Sequence, residues 1–217
     1  MTAAVNEELH AYATEAEVLE QSARTLAEAH REIRRALRAA ADFLDAPIIE
    51  RSLAQAQRRL SSDTSREPAL RKPAEWFLDN YYLIRRVARQ VAQEFPRGFV
   101  QRLPVLSSGP ASGLPRLHAL ARALVVGKTI EVDVAVMQRF IHAYQQVSPL
   151  TIAELWALPM MLRVAVLDGL VGCLRKLRVV DDANGGAAAD PDVDPATGVE
   201  QSIRALRLLA DIDWSTF

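Results

Sequence analysis

The amino-acid sequence predicts an all-α fold, an irregular multi-helix bundle of about six to seven helices that opens on a long helical hairpin. Three observations carry that prediction. Apolar residues recur at spacings of three and four over long runs, no segment alternates with period two, and glycine and proline fall between the runs. With 217 residues, the chain is long enough to bury about 70% of the surface its unfolded form exposes. Half of the residues are hydrophobic and 24% charged, a globular composition and too apolar for disorder. A net charge of −1 argues against a general nucleic-acid binder, whose affinity comes from cations neutralising phosphates. One cysteine, Cys173, excludes an internal disulfide, and the stretch after Met1 lacks the basic and apolar regions of a secretory signal.

The first helix is expected from about Val18 to Leu44. Leu19, Ala23, Leu26, His30, Ile33, Leu37, Ala40 and Leu44 follow a heptad, the pattern of a helix docking one narrow stripe on a partner. Asp45-Ala-Pro47 breaks it, and Ile48, Ile49, Leu53, Ala56 and Leu60 predict a second helix returning antiparallel. Residues 61–72 read as a polar connector. Pro73 then suits the first turn of a third helix running to Phe95. The stretch from Arg102 to Arg116 carries five glycines and prolines and reads as an ordered loop, followed by a short helix from Leu114 to Val126. Asp133 is expected to cap a helix reaching Val147. Thr151-Ile-Ala-Glu154 matches a capping box, opening the most apolar helix of the chain, which runs to about Leu177 with Pro159 inside it. Arg163 and Asp168 would be costly in a bilayer at about 2.5–3.5 kcal/mol each, so this helix reads as buried and not as a membrane span.

These segments divide the chain into a helix and its return helix (1–60), a connector (61–72), a helical core (73–177), a flexible acidic Gly/Ala loop (178–198) and a final amphipathic helix (199–217) leading toward further domains.

Two polar residues sit on apolar stripes. Stepping 100° per residue, Asn80 falls among Trp76, Phe77, Leu83, Ile84, Val87 and Val91, and Arg163 falls on the apolar side of its helix. A buried, unsatisfied amide costs about 1–3 kcal/mol and an unpaired buried charge several. The economical expectation is that the two helices face each other, with Asp79, Asn80 or Glu75 supplying acceptors for Arg163.

Catalytic patterns are missing. None of His10, His30, His118 and His142 has a partner at metal-ligand spacing, and there is no GxSxG. Asp190-Pro-Asp-Val-Asp194 imitates the start of a calcium loop and contains a DxD, but Pro195 stands at the glycine position and no strand flanks it. No catalytic, cofactor-binding or metal-binding residue is therefore assigned.

The segments PAEWFLDNYYLIRR, FPRGFVQRLPVL, SGPASGLPRLHALA, FIHAYQQVSPLTIAELWALPMMLRVAVLDGL and VEQSIRALRLLADIDW occur in this order between Pro73 and Phe217. Together they resemble the N-terminal helical region of the cyclic β-1,2-glucan synthase family. The resemblance implies a bacterial inner-membrane glucosyltransferase that builds β-1,2-glucan from UDP-glucose. This chain matches none of that enzyme's transferase motifs, so it reads as a non-catalytic cytoplasmic accessory domain at the inner face of the membrane. Its expected partners are the transferase and transmembrane domains of the same or a separate polypeptide. UDP-glucose and a divalent metal belong only to the downstream transferase domain. Glu75, Trp76, Asp79, Asn80, Glu154, Trp156 and Arg163 carry over as a structural polar cluster or interface. Two other readings stand beside it. One is a free-standing interaction module dimerising through the Leu19 to Leu44 seam; the other is a β-glucan-binding surface built from Trp76, Tyr81, Tyr82 and Trp156.

Overall fold

A computed structural model describes residues 2–35, 46–62, 67–94, 97–100, 102–125, 134–181, 193–212 and 214, with side chains from residue 16 onward except at 35, 46, 97 and 98. The described residues are mostly helical and carry one small two-stranded sheet.

Helix α1 (Thr2–Ala29) starts earlier than the heptad and ends one residue short of its fourth seam position. His30 is a turn, and Ile33–Arg35 forms strand β1, so the second half of the expected helix is not continuous with the first. Residues 36–45, with Leu37, Ala40 and Leu44, lie outside the described residues. The seam from Leu19 to His30 packs on α7 (Val134–Gln145) of the same chain rather than on the return helix α2 (Ala46–Ser62). Ile49, Leu53, Ala56 and Leu60 of α2 are buried, as their helical spacing requires.

The expected third helix is two helices. Pro68 takes the first-turn position, so α3 (Pro68–Asp79) begins inside the expected connector and holds Pro73 in its interior. Asn80 leaves helical geometry for one residue (φ −108°, ψ 7°), and α4 (Tyr81–Glu94) follows at once. A single turn, α5 (Arg97–Val100), leads to strand β2 (Pro104–Leu106), which pairs antiparallel with β1, Ile33 opposite Leu106. Gly109 and Gly113 take φ of 80° and 86°, where a side chain is strained, and the Gly113 amide closes the loop on Leu106 O at 2.8 Å.

Helix α6 (Arg116–Val125) and α7 precede α8 (Ile152–Lys176), which is buried on nearly all sides and packs against α2, α4, α6 and α9 (Pro195–Asp211). Its length and hydropathy would suit a membrane span, but 83% of its most apolar window is covered by other parts of this chain. Helix α9 starts four residues before Val199 because Asp194 is its N-cap, accepting from the Thr197 amide at 2.9 Å, with Pro195 in the first turn. The expected N-cap Asp133 falls outside the described residues. Gly198 of α9 presses on α8: a Cβ there would stand 2.5 Å from Cys173 Sγ.

Candidate functional site

The most concentrated polar chemistry in the interior lies where α6, α7 and α8 meet. Thr151 caps α8 as its spacing predicts: its hydroxyl accepts from the Glu154 amide at 3.3 Å, and Glu154 Oε2 accepts from the Thr151 amide at 2.8 Å. The same carboxylate takes a second load. Arg116, at the start of α6, donates through Nε to Oε1 at 2.7 Å and through one terminal nitrogen to Oε2 at 2.8 Å. That same terminal nitrogen also donates to Pro149 O at 2.7 Å, and the other donates to Ser148 Oγ at 2.9 Å. Arg116 and Glu154 are 3% and 0% exposed, so this is an ion pair removed from water with nearly every donor and acceptor satisfied. Burial by itself pulls the Arg116 guanidinium down. The hydrogen bond and charge of Glu154, aided by Tyr144, outweigh it and hold the group above its ordinary value.

Next to this clasp, His30 Nδ1 and the Tyr144 hydroxyl are 3.0 Å apart, tying the end of α1 to α7. Burial, with the nearby Arg116 charge, lowers His30 to about 4. Tyr144 rises to about 12, chiefly by burial. Deeper in the bundle, His118 Nε2 lies 3.1 Å from Asp168 Oδ2, joining α6 to α8.

The sequence-selected residues fall in several places. Glu154 belongs to the clasp. Asn80 and Trp76 meet α9: Asn80 donates to Trp76 O at 2.7 Å and accepts from Arg207, while Arg204 and Arg207 stand 5.6 and 5.9 Å from the Trp76 ring centre. Arg163 has other partners than the expected Asp79, Asn80 or Glu75. Its hydrogen bonds go to Pro159 O at 3.4 Å and Leu209 O at 3.1 Å, and its guanidinium lies 6.0 Å from the Trp214 ring centre. Leu209 is in the last turn of α9, whose unpaired carbonyls form the negative end of the helix dipole and serve a cation in place of a carboxylate. Burial leaves Arg163 with a lowered pKa, only partly opposed by Glu94 and reinforced by Arg86. Glu75 and Asp79 are exposed and make no hydrogen bond or ion pair among the described residues. Trp156 is 81% exposed, in a first-turn apolar triplet with Ile152 and Leu155.

Of the proposed sugar-binding aromatics, Trp76 is occupied by arginines and Tyr81 by Phe77, with ring centres 5.7 Å apart; Tyr82 and Trp156 remain exposed. Asp194 serves as a helix cap, while Asp190 and Asp192 lie outside the described residues. Among the described residues no group of three His, Cys, Asp or Glu side chains is placed to hold a metal. Cys173 is buried, which pushes its thiol up and away from reactivity. Sequence reasoning missed Arg116, His118 and Tyr144. Arg116 had a signal: a cation in the first turn of a helix, against the dipole, four residues before the buried Leu120.

No family model matches the chain. Over 122 residues, 56% of its length, it is 32% identical to the cyclic beta-(1,2)-glucan synthase NdvB of Rhizobium meliloti (strain 1021), of which the match spans 4%. The chain is thus a mostly helical protein that resembles a small part of a cyclic β-1,2-glucan synthase.

Proposed function

We propose that this chain is a non-catalytic helical accessory module of a cyclic β-1,2-glucan-synthesising glucosyltransferase, held at the inner face of a bacterial inner membrane. The stretch shared with the glucan synthase carries the reading. The interior chemistry agrees with it, because Arg116 and Glu154 are spent on each other and on holding α6, the turn at Ser148 and Pro149, and the start of α8 together. In this reading UDP-glucose and its divalent metal are bound by the transferase, and the exposed triplet Ile152, Leu155 and Trp156 is the surface that meets it. Exposed apolar groups in contiguity mark contact surfaces more often than solvated ones. The test is deletion of the chain from a cell that makes β-1,2-glucan, followed by complementation with wild type and with a Trp156→Ala/Ile152→Ser variant. Glucan is expected to fall on deletion, to return with wild type, and to return poorly with the variant. Unchanged glucan on deletion, or release of UDP from UDP-glucose by the purified chain alone, would overturn the proposal.

A further inference from the structure

Helix α1 is longer than the surface it packs on. Among the described elements α7 is its main partner, and the contact lies at the C-terminal end of α1: Ala23, Ala27 and His30 are buried, and His30 bonds Tyr144. The 12 residues of α7 span about 18 Å, whereas the 28 of α1 span about 42 Å. Counted back from His30, that shorter length ends near Leu19, which is half-buried, beside Val18 at 65% exposed. About four turns of helix, from Thr2 to Ala16, lie beyond it. The seam does not stop where α7 does. Val5, Leu9, Tyr12 and Ala16 precede Leu19 at the same alternating steps of four and three, so the register places them on the line of Leu19, Ala23, Leu26 and His30. The charge of this stretch is also unlike the rest of the chain. Five of the 27 acids, Glu7, Glu8, Glu15, Glu17 and Glu20, stand before Arg24, and none of the 26 lysines and arginines does. Glu20 is paired with Arg24 at 2.9 Å. For the other four, no lysine or arginine lies within a turn along the helix. None stands in the first turn, where the helix dipole would stabilise it. Glu8 and Glu15 immediately precede Leu9 and Ala16, the flanking positions through which a coiled coil selects its partner.

We propose that the N-terminal half of α1 docks a basic amphipathic helix of another polypeptide, one with apolar residues at heptad spacing and lysine or arginine on both flanks. The continued seam calls for a facing helix, and the unbalanced acids fix that helix's charge. A second copy of α1 fits poorly. Paired parallel, Glu15 would face Glu20 of the other copy; paired antiparallel, Glu8 would face Glu15, and like charges at these positions are destabilising. Anionic membranes and nucleic acids are disfavoured by the same carboxylates. The inference adds a contact surface distinct from the Ile152, Leu155 and Trp156 triplet, goes beyond the accessory role above and does not depend on it.

The experiment is calorimetric titration of the purified full chain with two synthetic heptad peptides, both with isoleucine and leucine in the seam, one with lysine and one with glutamate on the flanks. The lysine peptide is expected to bind, more weakly as salt rises, and the glutamate peptide is not. On binding, amide exchange should slow from Val5 to Ala16 and stay unchanged in α7. Leu9→Ser/Tyr12→Ser should abolish binding at an unchanged thermal midpoint. Glu8→Lys/Glu15→Lys should weaken the lysine peptide about tenfold and let the glutamate peptide bind. The proposal is overturned by no binding, by equal binding of both peptides, by protection confined to other parts of the chain, or by full binding of the serine variant. It is equally overturned if the chain is a dimer that the serine substitutions dissociate, which would assign the stripe to a second copy.

Discussion

Arg116 shows why a buried charge must be judged by its whole set of partners. Removing it leaves Glu154 ionised and out of water, so Arg116→Ala should cost about 3–5 kcal/mol in urea unfolding. Arg116→Met/Glu154→Leu should recover most of that loss, because neither charge is then stranded. His30 sets the acid limit. Its folded value of about 4 lies below the ordinary 6.5, so below pH 6.5 the unfolded chain takes up a proton that the folded chain refuses. Stability should therefore fall as pH drops from about 6.5 to about 4 and level off below, a loss of about 2 kcal/mol by pH 5. Urea midpoints across that range should decline for the wild type and stay nearly flat for His30→Gln. The sequence showed the Thr151 and Glu154 box because both members lie within one turn. It could not show that Arg116 joins them, since a contact across 38 residues leaves no spacing to read. Arg163 was legible as a misplaced cation but not as to its partner: backbone carbonyls at a helix end carry no residue signature.

Most helices followed from periodicity, and capping chemistry placed the start of α8 at Thr151. Both ends of α1 and the starts of α3 and α9 lie away from where the pattern put them. The break at Asn80 was not legible either, because the apolar stripe continues through it from Trp76 to Val91 and only the amide's own bonds mark the change of direction. Strand β1 was invisible for a related reason: Ile33-Arg34-Arg35 is three residues long and held by backbone pairing to β2 rather than by an alternating pattern. Between α8 and α9 the controlling contact is Gly198 on Cys173. Gly198→Ala should destabilise by about 1–2 kcal/mol, the overpacking cost less the helical preference of alanine. Cys173→Ala should make room and turn the same substitution neutral or better, a double-mutant cycle readable from thermal midpoints.

For the molecule as a whole, the helical class was fully legible, whereas the way helices meet was not. The heptad seam predicts that α1 has a partner, and the return helix is the nearest in sequence, yet α7 is the one it meets. Matching of faces decides such choices, and a single stripe fits many partners. Sharing one carboxylate between a local helix cap and a distant guanidinium has a kinetic corollary. The opening turn of α8 and the arrival of α6 become one event, so neither can loosen alone without leaving the other short of a bond. Fraying, which ordinarily begins at helix ends, is thereby confined to places far from the centre of the bundle.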